Sequence, residues 1–299
     1  MINVLDLKFL DSTSTIAAFL VKAEAEYVLF ETGPYSTFPQ IKKELARFDL
    51  SIEDIHHVFL THIHFDHAGA AWAFAKAGAN VYLHPFGKKH LQDPSRLYKS
   101  ARRIYQDKME YLWGEMKQIP EEQLKVVEHE EVITIDGLNI KALHTPGHAV
   151  HHIAWKIGTQ IIAGDVAGVR INSDLVVPPC PPPDIHVEDW QASIEILRKE
   201  AATALYLTHF GRVEVVEKHL NELENILLDW ANWIKPYFDT DRPQPEIVPK
   251  FQAYVSKQLQ AAGITDKVDI ERYEKANPSW MSVAGLMRYW KKRKQTSEK

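Results

Sequence analysis

The sequence has almost no cysteine, since only Cys180 among its 299 residues carries a thiol. A single cysteine excludes an intrachain disulfide and is typical of proteins from a reducing compartment. The N-terminal stretch MINVLDLKFLDSTST lacks the basic segment and the long apolar segment of a secretory signal. No uncharged run approaches the roughly 18 to 20 apolar residues that span a bilayer. These absences predict a cytoplasmic protein without a membrane partner.

An excess of positive charge is also missing. The chain has 35 Lys and Arg against 40 Asp and Glu, a net charge of −5. This balance argues against nucleic acid as a partner, because phosphate contacts need surplus Lys and Arg. The basic run at residues 291–294 lies at the C-terminal end, where we expect a frayed, solvated tail. With 45% apolar and 25% charged residues, the chain has the composition of a globular protein with a buried core.

Short runs of β-branched and aromatic residues alternate with helical patterns over the first 210 residues. Strands are predicted at residues 16–21, 27–30, 58–61, 81–84, 132–135, 138–144, 152–157, 160–163 and 204–207. Helices are predicted at 37–48, in the alanine-rich stretch after Gly69, and at 188–200. This alternation predicts an α/β (α+β) fold class.

Two regions depart from that alternation. Residues 88–123 carry one amphipathic pattern rich in Tyr, Arg and Lys, interrupted only by Gly114, which predicts a helical insertion. After Gly211 the pattern is helical throughout, with a long helix predicted at 213–234 and a proline-marked break that begins at Pro236. Further helices are predicted at 251–262 and 279–290. We therefore expect a domain at 1–211, with its insertion at about 88–123, and a helical C-terminal segment at 212–299.

The stretch THIHFDHAGA, residues 61–70, places His62, His64, Asp66 and His67 directly after an apolar run. His62 and His64 are two residues apart, so in an extended segment their side chains project to the same side. Asp66 and His67 fall where the chain must turn into a helix, so they can point to a different place. Imidazole and carboxylate together suit Zn²⁺, Fe²⁺ or Mn²⁺. The alternative is a polar loop at the end of a strand.

Three more candidate ligands follow later strands. HTPGHAVHH, residues 144–152, contains four histidines, and we expect only His148 to bind a metal because it follows a Pro-Gly turn just past a strand. Asp165 follows an apolar strand in IIAGDVAG, where a buried carboxylate is costly unless a cation pairs with it. His209 has the same setting in LYLTHFG. All candidates thus follow strand ends, where α/β folds place their functional loops.

In this order, the pieces THIHFDH, TPGH, AGD and THFG resemble the metallo-β-lactamase fold superfamily over residues 14–211. The resemblance implies an αββα sandwich with a helical C-terminal extension and a dinuclear metal centre along one edge. It implies that His62, His64 and His148 bind the first metal, that Asp66, His67 and His209 bind the second, and that Asp165 bridges them. Glu31, in FETG, stands where the family often has an aspartate that supports a ligand histidine.

The implied activity is hydrolysis of a small-molecule ester, lactone or thioester by a metal-bridged hydroxide, in a glyoxalase II-like or lactonase-like branch. Zinc is the expected metal, with iron or manganese as alternatives. Asp66 is the candidate catalytic residue, because it can orient the nucleophile or move its proton to the leaving group. Cys180 is expected to be a loop residue. Aromatic residues of the insertion, among them Tyr105, could line the substrate pocket or simply pack the core.

Two other functions stay open. The same scaffold hosts iron-dependent redox enzymes, and a persulfide dioxygenase-like site would use His62, His148 and Asp165 alone. A non-catalytic metal-binding module is the third interpretation. A homodimer through the aromatic-rich C-terminal helices is a further expectation, with internal packing of those aromatic residues as its alternative.

Overall fold

Across residues 1–297, the part of the chain that the computed structural model describes, twelve strands pair into two six-stranded sheets. The first sheet follows chain order: β1 (Ile2–Asp6), β2 (Ala17–Lys22), β3 (Tyr27–Phe30), β4 (Ile55–Phe59), β5 (Asn80–Leu83) and β6 (Leu124–Val126). Its first three strands are antiparallel and the pairs from β3 to β6 are parallel.

The second sheet contains the later strands. They are β7 (Val132–Ile135), β8 (Leu138–His144), β9 (Ile153–Ile157), β10 (Gln160–Ile162), β11 (Ala204–Leu207) and β12 (Gly211–Val213). They also lie in chain order across the sheet, and only β10 and β11 pair in parallel. Both sheets are therefore mixed.

Helices cover the outer side of each sheet. Those before β6 are α1 (Phe38–Ala46), α2 (Phe65–Ala68), α3 (Ala71–Lys76), α4 (Pro85–Gln92), α5 (Ser95–Tyr105) and α6 (Met109–Trp113). Those after β10 are α7 (Val187–Lys199), α8 (Val216–Asp239), α9 (Gln244–Ala261), α10 (Lys267–Ala276) and α11 (Ser279–Ser297). The order helix, sheet, sheet, helix confirms the expected αββα sandwich and its helical C-terminal region.

The apolar run in β2 shows why the first sheet is buried on both faces. Side chains alternate along a strand, so Phe19 packs between the two sheets while Leu20 packs under the helices. Between the sheets, Phe59 meets Trp155 edge to face with ring centroids 5.0 Å apart. Strands that are apolar on both faces are typical of a sheet sandwiched between layers.

The insertion differs from the single long pattern expected at 88–123. It forms three separate helices, α4 to α6, because the chain breaks at Pro94 and again at Gln106, whose φ is 50°. Proline cannot continue a helix interior and a positive φ is left-handed, so neither position lets the helix run on. The side-chain periodicity alone did not show these breaks.

The C-terminal segment also differs in detail. α8 continues through Pro236 to Asp239, although a break was expected there. Pro236 lies on the exposed side with Asn232, so water can reach the carbonyl that loses its backbone partner. The expected frayed tail at 291–294 is likewise wrong, because these residues belong to α11, where Lys292 bonds the Pro183 carbonyl and Arg293 pairs with Glu188.

Helices α8 to α11 share one buried core with α7 and the second sheet. The division of the chain at residue 211 stays a prediction. None of the helices within residues 1–297 is long and apolar enough to cross a membrane.

Candidate metal centre

The seven candidate ligands lie in four segments, and each segment follows the C-terminal end of a strand. The strands are β4 of the first sheet and β8, β10 and β11 of the second. The structure brings the seven residues together in three overlapping groups, in each of which the ligand atoms lie within 4.8 Å of one another. The seven are His62, His64, Asp66, His67, His148, Asp165 and His209.

The first group consists of His62, His64 and His148. The Nε2 atoms of His62 and His148 lie 2.8 and 3.1 Å from Nδ1 of His64. Their opposite nitrogens are engaged elsewhere, since His62 Nδ1 lies 3.0 Å from the Thr61 hydroxyl and His148 Nδ1 donates to the Pro179 carbonyl at 2.8 Å. These contacts leave three ring nitrogens directed at one point.

All three imidazoles of the first group are held neutral. Burial lowers the pKa of His64 to about 3, lowers that of His62 well below its usual value, and lowers that of His148. The neighbouring imidazoles add to the effect at His62. Because the neutral ring is the form that binds a metal, the first group has the charge state of a ligand set.

The second group consists of Asp66, His67 and His209. An oxygen of Asp66 lies 3.5 Å from His209 Nε2 and 3.7 Å from His67 Nε2. His209 donates its Nδ1 hydrogen to the Thr15 carbonyl at 2.7 Å, which leaves Nε2 facing the centre. The short helix α2 begins between His64 and Asp66, and its turn separates the two groups along the chain.

Asp165 lies between the groups, and each of its oxygens faces a different one. Its Oδ2 is 3.3 Å from His148 Nε2 in the first group. Its Oδ1 is 3.3 Å from His67 Nε2 and 3.5 Å from His209 Nε2 in the second. This is the arrangement that a carboxylate needs to serve both groups at once.

Glu31 lies at the end of β3 in a left-handed conformation, with φ of 63°. Its carboxylate is fully buried, lies 3.2 Å from His67 Nδ1 and accepts a hydrogen bond from the Thr61 hydroxyl. Thr61 in turn contacts His62, so Glu31 supports one histidine of each group. Thr61 was not singled out in the sequence, although its place directly before His62 in the motif could have indicated such a role.

The residues fit a bound cation. Within the described chain, His67 Nε2, Asp165 Oδ1 and His209 Nε2 are buried, face the centre and have no hydrogen-bond partner. Buried polar atoms are normally paired, so three such atoms around one point require another partner. Their chemistry, imidazole nitrogen and carboxylate oxygen, suits a first-row divalent metal.

The charges of the second group lead to the same conclusion. Burial opposes ionisation of Asp66, but His67 and His209 outweigh it and lower its pKa to about 2. Burial likewise opposes protonation of His67 and His209, yet the carboxylates led by Asp165 raise the pKa of both rings. The buried carboxylates thus favour positive charge at this place, which a metal ion would supply.

The other histidines of the TPGH stretch lie outside the ligand groups. His152 uses both nitrogens, one with the Thr145 hydroxyl at 2.8 Å and one with the Val166 N–H at 3.4 Å. His144 donates to a backbone carbonyl away from the centre. His151 is buried as well, with its ring centroid 5.7 Å from that of His64, yet it belongs to none of the ligand groups. Nothing in the local sequence distinguishes His151 from an edge residue.

Tyr105 connects the insertion to the C-terminal helices through aromatic contacts. Its ring packs against Trp113 and against Trp280 of α11, with centroids 5.2 and 6.0 Å away. Burial and the charge of Asp66 raise the pKa of the Tyr105 hydroxyl. By contrast, Tyr111 is 70% exposed and does not line the centre. Cys180 is buried outside all three ligand groups.

Comparison of the sequence with known families gives a match to the Metallo-beta-lactamase superfamily over residues 13–209. The metallo-beta-lactamase fold-containing protein ST1585 of Sulfurisphaera tokodaii is 28% identical over 193 residues, which cover 61% of this chain and 71% of that protein. The probable metallo-hydrolase MJ0888 of Methanocaldococcus jannaschii is 28% identical over 139 residues, which cover 46% of this chain and 61% of that protein.

Solved structures show the same fold. The structure of ST1585 from Sulfolobus tokodaii superposes with a TM-score of 0.64 at 22% identity, covering 74% of this chain and 85% of that one. The metallo-beta-lactamase family protein TTHA1429 from Thermus thermophilus gives 0.66 at 18% identity, covering 98% and 94%. Because the family match spans well over half of the chain and the fold and ligand groups agree with it, the chain belongs to the metallo-beta-lactamase superfamily.

Proposed function

We propose that the chain is a metal-dependent hydrolase that uses two divalent cations to cleave a small-molecule ester, lactone or thioester. Zinc is our first choice for both cations, with iron or manganese as alternatives. The observation that carries the proposal is the position of Asp165, whose two oxygens face different ligand groups at 3.3 Å. A carboxylate shared in this way supports two adjacent cation sites rather than one.

His62, His64 and His148 would hold one cation, Asp66, His67 and His209 the other, and Asp165 would bridge them. Bound divalent cations supply Lewis acidity, which polarises a carbonyl oxygen and lowers the pKa of water toward neutrality. The protein's own contribution is to fix the orientation of these ligands. Glu31 and Thr61 do so for His67 and His62.

Asp66 is the residue that we assign to the handling of water and protons. Its side chain is 21% exposed, whereas those of His67 and His209 are at most 1% exposed, so it borders the opening of the site. With a pKa of about 2 it is ionised at neutral pH and accepts a hydrogen bond from an attacking water. It can pass that proton to the leaving oxygen or sulfur as negative charge develops there.

Water is the nucleophile in this proposal, since the chain's one thiol is badly placed for the role. Cys180 is fully buried, and burial raises the pKa of its thiol well above the usual range. A buried thiol without a nearby cation is unreactive. Cys180 also lies outside the three ligand groups, so a covalent cysteine mechanism has no support.

The substrate side of the proposal rests on the surroundings of Asp66. Tyr105 of the insertion contacts Trp280 and Met281 of α11, and the charge of Asp66 contributes to its raised pKa. An apolar, aromatic border of this kind suits a small organic acyl compound more than a polymer. Such a border is compatible with both the glyoxalase II-like and the lactonase-like branch. The residues that line the pocket would determine which of the two substrate types is accepted.

The test is hydrolysis of a panel of lactones, aryl esters and glutathione thioesters, before and after removal of metal with a chelator. We expect turnover of at least one class, its loss on chelation, and its recovery when Zn²⁺ is added back. Unchanged turnover in metal-free protein would contradict the proposal. The variant His148→Ala, which removes a ligand of the first group, should behave like the chelated protein.

Counting metals separates this function from the alternatives. Two metals per chain with hydrolysis support the proposal, whereas one iron per chain with oxygen consumption would replace it by an iron-dependent, persulfide dioxygenase-like redox reaction. The convergence of all seven ligands favours the first outcome, because a single iron on His62, His148 and Asp165 would leave His67 and His209 without a cation. Metal binding without turnover of any substrate would indicate a non-catalytic module.

A further inference from the structure

Residues 178–183, with the sequence PPCPPP, form a proline segment that runs beside the metal centre. The carbonyl of Pro179 accepts the Nδ1 hydrogen of His148 at 2.8 Å, in a fully buried contact. That hydrogen bond fixes the tautomer of His148 and aims its Nε2 at the first ligand group. The position of the Pro179 carbonyl therefore decides how this ligand is oriented.

The C-terminal helices hold the proline segment on its other side. Asn277, the residue that follows α10, donates from Nδ2 to the Pro178 carbonyl at 3.1 Å, and this contact is buried. Farther along, Arg288 and Lys292 of α11 donate to the Pro183 carbonyl at 3.1 and 2.6 Å. Prolines offer no backbone N–H, so these carbonyl contacts are the polar means of fixing the segment.

Gly285 lets α11 approach the segment closely. A Cβ at this position would lie 2.0 Å from the Cys180 carbonyl oxygen and 2.9 Å from the carbonyl carbons of Cys180 and Pro181. All three are backbone atoms, so no side-chain rotation can relieve the clash. Glycine inside a helix costs about 1 kcal/mol relative to alanine, and at this position the close contact requires it.

We propose that Asn277 and Gly285 are positioning residues of the metal centre, which act on the first ligand group through the proline segment and His148. The C-terminal helices are then a functional part of the centre as well as a cover for the second sheet. The inference rests on the proposed function only in that the first group must bind a cation.

The effect of Asn277 and Gly285 on metal affinity should be confined to the first ligand group. In the second group, His209 is held by the Thr15 carbonyl and His67 by Glu31, and neither of these contacts involves the proline segment. A shift of the Pro178 to Cys180 backbone therefore moves the partner of His148 and leaves the ring contacts of the second group in place.

The experiment measures Zn²⁺ affinity of the full chain by competition with a chromophoric chelator. Gly285→Ala is made in two backgrounds, His209→Ala, which keeps the first group complete, and His148→Ala, which keeps the second. We expect affinity to fall about 10- to 100-fold in the first background, as for other losses of support to a metal-bound histidine. In the second background it should not change.

Asn277→Asp is the second variant, for use if Gly285→Ala does not fold. Aspartate still accepts the hydrogen bond from Ser282 but cannot donate to the Pro178 carbonyl, so the same selective loss is expected. Ser282→Ala is its matched control, since it removes the other contact of Asn277 and leaves the proline segment bonded.

Gly263→Ala is the matched control for Gly285→Ala. Its φ of +84° makes alanine strained, but no atom lies within 4 Å of the added Cβ, so it should lower stability without changing Zn²⁺ affinity. Equal losses in both backgrounds, or unchanged affinity in folded Gly285→Ala and Asn277→Asp, would overturn the inference. Normal zinc binding without hydrolysis would contradict the proposed function and leave this inference intact.

Discussion

At four of the five ligand histidines, one ring nitrogen contacts a group of the protein and the other faces the centre. The partners differ in kind, being two backbone carbonyls, one hydroxyl and one carboxylate. They are the Pro179 carbonyl for His148, the Thr15 carbonyl for His209, the Thr61 hydroxyl for His62 and the Glu31 carboxylate for His67. These contacts select the tautomer that a metal needs and reduce the motion of each ring.

The first prediction for a single residue concerns Asp66. Asp66→Ala, assayed with saturating Zn²⁺, should lower kcat about 10²- to 10⁴-fold, the usual contribution of a positioned acid or base. KM should change little, because the side chain acts on the water and proton rather than on the bulk of the substrate. Steady-state kinetics on the substrate found with the hydrolysis panel provide the measurement.

A matched control for Asp66 is available in α10. Asp269 has a side chain 20% exposed, close to the 21% of Asp66, and it forms an ion pair with Arg272 and belongs to none of the ligand groups. Asp269→Ala should leave kcat unchanged. If Asp66→Ala keeps full turnover, or if it raises KM while kcat is retained, its catalytic assignment is wrong.

Among the secondary-structure elements, α8 contacts the segment that carries Asp165 through a buried histidine. His219 donates from Nε2 to the Ala167 carbonyl at 2.7 Å, just beyond Asp165, and its side chain is buried in the core. Burial, partly offset by that hydrogen bond, lowers the pKa of His219 to about 4. The ring is thus neutral in the folded protein and carries one unpartnered nitrogen within the described residues.

The lowered pKa of His219 therefore predicts that the folded protein loses stability in mild acid. The unfolded chain takes up a proton near pH 6.5 and the folded chain only near pH 4, so stability falls as the pH drops through this window. This pKa shift corresponds to a change of about 3 kcal/mol in the free energy of unfolding across the window. His219→Gln keeps a donor for the Ala167 carbonyl and does not titrate. Between pH 7 and pH 4.5 its free energy of unfolding should therefore fall by about 2 to 3 kcal/mol less than that of the wild type.

Urea unfolding of metal-free protein at both pH values measures this difference. Chelation in both samples removes the pH dependence of metal binding, and subtraction of the variant from the wild type cancels the other buried histidines. Parallel loss of stability in the two proteins would show that His219 is protonated or exposed in the fold.

For the molecule as a whole, the two sheets bring together ligands that are up to 147 residues apart in the chain, from His62 to His209. A cation bound to such a set links β4, β8, β10 and β11 in the folded state only. Ligand binding to the native state alone stabilises it by about 2.7 kcal/mol at 100 times the dissociation constant. Metal binding and folding should therefore be coupled.

Chelation should consequently lower the Tm by about 5 to 10 °C, since 1 kcal/mol corresponds to about 2 to 4 °C in a chain of this size. Differential scanning calorimetry with and without Zn²⁺ tests this. The double variant His148→Ala, His209→Ala should not respond to Zn²⁺. A Tm that is independent of Zn²⁺ in the wild type would show that the centre does not bind the metal tightly.

The homodimer through the C-terminal helices stays a prediction. Of the six aromatic residues that suggested it, Trp230 and Tyr289 are buried in the core and Trp280 is 36% exposed. The remaining three, Trp233, Tyr237 and Trp290, pack against the same core. This internal packing leaves a smaller apolar surface for a partner than the sequence alone suggested, and light scattering of the purified chain would decide the question.

Much of the fold could be predicted from the chain itself. Strands such as β2 and β8 and the helix α7 lie within one or two residues of their predicted positions, because strong apolar periodicity marks them. β1, β6 and β12 were missed; all three lie at sheet edges, and β6 and β12 are only three residues long. The breaks at Pro94 and Gln106 and the continuation through Pro236 depend on exposure and backbone conformation, which periodicity does not encode.

By itself the sequence determined which residue types follow which strands, and hence the family and the seven candidate ligands. It could do so because the motifs are local and metal ligands allow few side-chain types. Only the tertiary structure decided that Asp165 faces both groups, that Glu31 supports histidines of both, and that α10 and α11 reach His148 through the proline segment. These relations depend on backbone carbonyls and on contacts between segments far apart in the chain. The order of the amino acids does not show such contacts, because they form only when the chain folds.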